Sequence, residues 1–178
     1  FADLGVSRQV VSALADRGIT EPFAIQSLVL RDVLGGRDVL AKSPTGSGKT
    51  LAFAIPMVER LEGADRGPAA LVLAPTRELA AQIVEQSQPI ARARGLEVAA
   101  VYGGVGFEKQ IKACKRADIL VATPGRLEDL MARRAVRLGG IEMLVLDEAD
   151  RMLDMGFLPD IKRVLAQLPA QKQTMLFS

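Results

Sequence analysis

The 178-residue sequence predicts an α/β fold, an open and mostly parallel sheet flanked by crossover helices. Three observations carry that prediction. Six short apolar runs recur along the chain, and most are continuous rather than alternating, as parallel strands buried on both faces require. Between them lie longer stretches in which apolar residues return at steps of three and four. Each run is followed by a polar or glycine-rich cluster, at the strand end where open α/β sheets bind ligands.

Two helices are expected ahead of the first strand. One covers about residues 7–17 and is closed by Gly18; the other begins near Phe23 and ends before Gly35-Gly36. The first strand, Val39-Leu-Ala, runs into Lys42-Ser-Pro-Thr-Gly-Ser-Gly-Lys-Thr50. A helix follows, with Leu51, Ile55, Val58 and Leu61 on one face. Gly63-Ala-Asp-Arg-Gly-Pro68 is turn-rich and reads as a mobile surface loop. The second run, Leu71-Val-Leu-Ala, leads to Pro75-Thr-Arg-Glu-Leu79, with Leu79 and Ile83 in helical register. Val98-Ala-Ala-Val precedes Tyr102-Gly-Gly104, and Ile119-Leu-Val-Ala precedes Thr123-Pro-Gly-Arg126. Met143-Leu-Val-Leu precedes Asp147-Glu-Ala-Asp150. Ile161, Val164, Leu165 and Leu168 then mark a helix before the last run, Met175-Leu-Phe, and Ser178. All clusters of interest fall on one edge of the expected sheet. No repeat, low-complexity tract or linker divides the chain, so residues 1–178 read as one domain.

Composition narrows the chemistry. With 49% hydrophobic and 25% charged residues the chain is neither a disordered tail nor a membrane protein. No apolar stretch reaches the roughly 18 residues of a spanning helix, and no signal peptide is expected at the start. Cys114 is the only cysteine, which rules out an internal disulfide and makes a reducing, cytoplasmic setting the expectation. The absence of histidine removes His-based triads and zinc-protease schemes. A net charge of +2 is too mild to argue for nucleic acid by itself.

The strongest signal is the phosphate loop at residues 43–50, Ser43-Pro-Thr-Gly-Ser-Gly-Lys-Thr50, placed between a strand and a helix. Ser43 replaces the usual first glycine. Thr45, Gly46, Ser47 and Gly48 would turn backbone N–H groups toward phosphate oxygens, and Lys49 would reach the β- and γ-phosphates. The Thr50 hydroxyl can ligate Mg²⁺. A magnesium–nucleotide site needs a second acidic element. Asp147 would hold the ion, and Glu148 would orient and deprotonate an attacking water.

These residues resemble a known family. Asp147-Glu-Ala-Asp150, the DEAD motif at 147–150, with the phosphate loop, resembles the first RecA-like domain of DEAD-box RNA helicases, and the likeness covers almost the whole chain. Pro75-Thr-Arg-Glu-Leu-Ala80 resembles motif Ia, Thr123-Pro-Gly-Arg126 motif Ib, and Gly103-Gly104 with Gln110 the glycine-doublet element. Residues 18–26 resemble the Q motif, in which Gln26 reads adenine, with Phe1 at the position of an isolated upstream aromatic. Two departures stand out. Ile19 occupies a position where an aromatic often stacks on adenine, and Phe23 one where threonine is common. The resemblance implies ATP with Mg²⁺ as cofactor, and weaker ATP affinity from Ile19.

It also implies RNA contacts to sugar and phosphate without strong sequence preference. Arg77 and Arg126 would fork onto phosphates, Thr76 and Thr123 would offer hydroxyls, and Gly104 and Gly125 would allow close approach. Pro75, Gly103 and Pro124 fit that role or plain strand-end turns equally well. The basic runs at 109–116 and 133–137 read as solvated helix surfaces. Asp150 and Ser178 would couple hydrolysis to duplex opening, Ser178 being the first residue of motif III. The expected whole is an ATP-dependent RNA helicase acting as a monomer, with its second RecA-like domain outside this segment and little unwinding by this segment alone. A DNA-directed translocase and an inactive nucleotide-dependent RNA-binding module are the alternatives.

Overall fold

The computed structural model describes residues 1–63 and 67–178, so the middle of the loop expected at 63–68 lies outside the described residues. The six apolar runs form one all-parallel sheet in the order β1-β6-β5-β2-β4-β3. The strands are β1 (Val39–Ala41), β2 (Ala70–Leu73), β3 (Val98–Val101), β4 (Ile119–Ala122), β5 (Met143–Leu146) and β6 (Gln173–Phe177). Eight α-helices accompany them among the described residues: α1 (Arg8–Ala15), α2 (Ala24–Leu34), α3 (Lys49–Arg60), α4 (Arg77–Ala93), α5 (Phe107–Arg116), α6 (Pro124–Ala132), α7 (Ala149–Asp154) and α8 (Leu158–Ala166).

Continuous apolar strands are explained by what lies on each side. Val72, Val121, Val145 and Met175 face a core built with Phe53, Ile55, Ile83 and Ile90 of α3 and α4. Their neighbours Leu71, Leu73, Leu120 and Leu144 face the opposite core, with Leu127 and Leu130 of α6, Met152 of α7 and Val164 of α8. Each fully buried large side chain contributes about 1.5–3 kcal/mol. The Phe53 and Phe177 rings meet at 5.4 Å, joining α3 to β6. Cys114 is buried in the second core, and burial pushes its thiol up to about 11, which makes it a packing residue rather than a nucleophile.

Three boundaries differ from expectation. β2 starts and ends one residue earlier, because Ala70 pairs with Ile119 and Met143 on both sides. β6 begins at Gln173, a polar residue kept in a buried strand because its Nε2 donates to the carbonyls of Val33 and Arg37, at 2.8 and 2.7 Å. α1 stops at Ala15, two residues short, and Gly18 closes the turn with a left-handed φ of 74°. Since all six strands are parallel, all their carboxyl ends meet one edge. That edge carries the site.

Candidate functional site

Between β1 and α3 the chain makes two left-handed glycine turns, at Gly46 (φ 81°) and Gly48 (φ 83°). Gly48 is also confined: a Cβ there would lie 2.6 Å from Nε2 of Gln26 and 2.7 Å from Cδ2 of Phe23. α3 then starts at Lys49 without a side-chain cap, so its first N–H groups are left for an anion. The end of β6 holds the start of the loop. Ser43 N–H donates to Ser178 O at 2.9 Å and Ser178 N–H to Ala41 O at 3.1 Å, while the hydroxyls of Ser43 and Ser47 share a hydrogen bond. Thr45 is exposed in the loop and Thr50 is buried.

A compact set of charges faces this loop from the end of β5. Lys49 Nζ lies 3.1 Å from Asp147 Oδ1 and 3.6 Å from Glu148 Oε1, and Arg151 Nη1 lies 3.2 Å from Glu148 Oε2. The Asp147 side chain is 0% exposed. Burial holds its carboxyl above the usual carboxylate range, against the pull of Lys49. Its Oδ1 accepts from Glu148 N–H at 3.0 Å, whereas Oδ2 is buried with no hydrogen-bond partner. Glu148 itself has φ 50° and ψ 51°, a conformation that a non-glycine residue adopts at a cost and that is found at active sites.

The orphaned Oδ2 of Asp147 and the Thr50 hydroxyl are the groups a magnesium–phosphate complex needs. Among the described residues no cluster of three or more acidic, His or Cys side chains could hold a metal alone. Mg²⁺ suits such a site, since it is usually held by one or two carboxylates together with substrate phosphates and water.

Above the loop lies a cleft of about 660 Å³, lined by Ile19, Phe23, Gln26, Thr45, Gly46, Gly48, Lys49, Thr50 and Glu148. Gln26 is buried; its Nε2 donates to Gly48 O and its Oε1 accepts from Phe23 N–H, both at 2.9 Å. Each of those atoms retains one further hydrogen-bonding position. Leu51 of α3 and Leu79, Gln82 and Gln86 of α4 also line the cleft and were not expected to. The i, i+4 spacing of the two glutamines was the available signal, but it reads equally as a solvated helix face. Phe1 does not line the cleft. It packs against the core instead.

The other half of the edge is built differently. Arg126, in the first turn of α6, donates from Nη1 to Val105 O at 2.7 Å and to Gln110 Oε1 at 3.0 Å. Its guanidinium stacks on Phe107 at 4.3 Å, a ring that Arg133 also covers at 3.8 Å. Gln110 Nε2 donates to Tyr102 O at 2.8 Å. The arginine expected to reach outward is turned inward and ties residues 102–105 to α5 and α6.

Arg77 is exposed, lies 5.2 Å from the Tyr102 ring centroid, and sits so close to Gly104 that a Cβ there would be 2.9 Å from its Nη1. Thr76 caps α4, its hydroxyl accepting from Leu79 N–H at 3.2 Å. Thr123 is the N-cap of α6 but makes no side-chain cap bond, which leaves that helix start open. Gly103, Gly104 and Gly125 are exposed, whereas Pro75, in the bend before α4, and Pro124, the first residue of α6, are buried. Asp150 is exposed in the first turn of α7, and no hydrogen bond joins it to Ser178 among the described residues.

Comparison with known proteins agrees with this architecture. The family model described as DEAD/DEAH box helicase matches residues 23–178. The chain is 45% identical over its full length to the DEAD-box ATP-dependent RNA helicase CshA of Streptococcus pneumoniae, covering 34% of that protein. It is 47% identical to the chloroplastic DEAD-box ATP-dependent RNA helicase 3A of Zea mays, covering 25% of it. The crystal structure of a DEAD box protein from Methanococcus jannaschii superposes with a TM-score of 0.94 at 38% identity, over 100% of this chain and 49% of that one. A hypothetical ATP-dependent RNA helicase from Sulfolobus tokodaii superposes with a TM-score of 0.89 at 41% identity, over 97% of this chain and 50% of that one. The chain thus spans about a third or less of these curated relatives and about half of these solved structures. With a RecA-like parallel sheet, a phosphate loop opposite Asp147-Glu148 and this similarity along nearly all its length, the chain belongs to the DEAD/DEAH box helicase family.

Proposed function

We propose that this chain is the ATP-binding and RNA-backbone-binding unit of an ATP-dependent RNA helicase, using Mg²⁺ and completed by a second RecA-like domain in a longer protein. The observation that carries the reading is the position of Lys49, between a phosphate loop and two carboxylates at 3.1 and 3.6 Å. An incoming triphosphate competes for that ammonium, and its release from Asp147 and Glu148 leaves both carboxylates available for catalysis. Thr50 and Asp147 would hold Mg²⁺, which neutralises charge on the phosphates when bound. Glu148, freed from Lys49, orients the attacking water and accepts its proton. Gln26 uses its remaining acceptor and donor positions on the adenine edge.

RNA phosphates meet the other half of the same edge, at the open start of α6 by Thr123 and Gly125 and at the exposed Gly103-Gly104 turn with Arg77. Arg126 shapes that surface from behind. Asp150, in the first turn of α7, and Ser178, just past β6, would relay the nucleotide state to the second domain. The unit acts as a monomer in a cytoplasmic, reducing compartment, a reading supported by its single, buried cysteine. No helix of the described residues is long and apolar enough to cross a membrane.

The test is Glu148→Gln in the full-length protein. ATP and RNA binding should persist while RNA-stimulated turnover falls by about 10²–10⁴-fold. Near-normal turnover would remove Glu148 from the catalytic role, and equal stimulation by DNA would favour a DNA-directed translocase.

A further inference from the structure

Phe23 breaks two local rules at once. It occupies the N-cap of α2, a position that favours Ser, Thr, Asp or Asn, and it has no oxygen with which to accept from the first turn. The helix start is secured from one side only, by Gln26 Oε1 accepting the Phe23 N–H. The Phe23 ring is also 58% exposed, although the chain has only six Phe and one Tyr. A residue that forgoes a cap and leaves an aromatic ring in solvent calls for a compensating contact.

Its surroundings say where that contact is. Phe23 is the one aromatic among the described residues lining the nucleotide cleft. Its Cδ2 lies against Gly48 so closely that a Cβ there would sit at 2.7 Å. The amide of Gln26, one helical turn on, bonds to Gly48 O. Ring, amide and phosphate loop therefore converge on one glycine, and the Ile19 side of the cleft contributes only an aliphatic surface.

We infer that Phe23 is a nucleobase-contacting residue, its ring packing on the base that Gln26 reads and supplying the aromatic surface that Ile19 lacks. The inference rests on the nucleotide reading above. Because every base offers a π-face, the contact tightens binding without choosing the base, and the choice stays with Gln26.

The experiment uses this chain and two probes, Mg-ADP and Mg-pyrophosphate, titrated calorimetrically. Phe23→Thr restores a cap oxygen, so its thermal midpoint should equal or exceed that of the wild type. It should weaken ADP binding about tenfold and pyrophosphate binding less than about twofold, whereas Phe23→Tyr should keep both. Unchanged ADP affinity in Phe23→Thr would overturn the inference. So would an equal loss for ADP and pyrophosphate, which would assign Phe23 to packing of the phosphate loop. A wild type that binds neither probe would bring down the nucleotide reading itself, an outcome distinct from a wild type and a Phe23→Thr variant that bind ADP equally.

Discussion

Lys49 and Arg126 sit on the same edge of the sheet, each just past a strand and a glycine, with 11% and 12% of their side chains exposed. Their partners differ in kind. Lys49 is held by the carboxylates of Asp147 and Glu148, groups that nucleotide binding would free for other work under the proposed function. Arg126 is held mainly by a backbone carbonyl, an amide side chain and a phenyl ring, with the exposed carboxylate of Asp129 only at 4.0 Å. Under the proposed function one cation is in an exchangeable pair and the other is a fastener. A Gly-Lys or Gly-Arg after a strand thus marks a functional edge without saying which job the cation has; the partners decide that.

Substitutions at the two cations should separate these roles. Lys49→Ala should weaken Mg-nucleotide binding by about a hundredfold, as expected when one member of a buried charge pair is lost, measured by calorimetry. Arg126→Ala should leave nucleotide affinity within about twofold. It should instead lower stability by about 2 kcal/mol in denaturant titrations, since the Val105 carbonyl and Gln110 amide lose a charged donor. RNA affinity of the full-length protein should fall with it. Gln110→Ala should share that loss: a double-mutant cycle with Arg126→Ala should be clearly non-additive, and strict additivity would break the picture of one fastener.

A smaller effect concerns pH. Asp147 has its folded-state value raised by burial, so its contribution to stability is full below the unfolded carboxylate value of about 3.9 and is lost as pH rises through the raised value. Asp147→Asn cannot ionise. In the ligand-free chain the ionisation penalty is therefore absent, so its stability relative to wild type should be greatest near neutral pH and fall as pH drops toward about 4. Thermal melts across that range check it; a gain that grows toward acid would contradict the sign. Smallest of all, Cys114 should resist thiol alkylation in the native chain at pH 8 and react only on unfolding, as its burial and a value near 11 dictate.

The sequence made the strands legible because β2, β4 and β5 are buried on both faces and so leave continuous apolar runs with little competing signal. The phosphate loop and Asp147-Glu148 were legible because their residue types have few other uses in that order. What escaped depended on distant partners. Gln173 reads as a loop residue until the carbonyls of Val33 and Arg37 take up its amide. Arg126 reads as a phosphate fork until Val105, Phe107 and Gln110 fold against it. Gln82 and Gln86 gain meaning only once α4 lies beside the cleft, and Phe1, at the position of an isolated upstream aromatic, packs against the core ahead of the short 3₁₀ turn Ala2–Leu4.

The central claim is that the Lys49 pair is the nucleotide switch of this edge and the Arg126 fastening is not. Calorimetric titration of Mg-ADP into the wild type, Lys49→Ala and Arg126→Ala, under one set of conditions, tests it most directly. Binding by Arg126→Ala within about twofold of the wild type, with binding weakened about a hundredfold in Lys49→Ala, is the predicted result. Wild-type affinity in Lys49→Ala, or a loss in Arg126→Ala as large as that in Lys49→Ala, would contradict it.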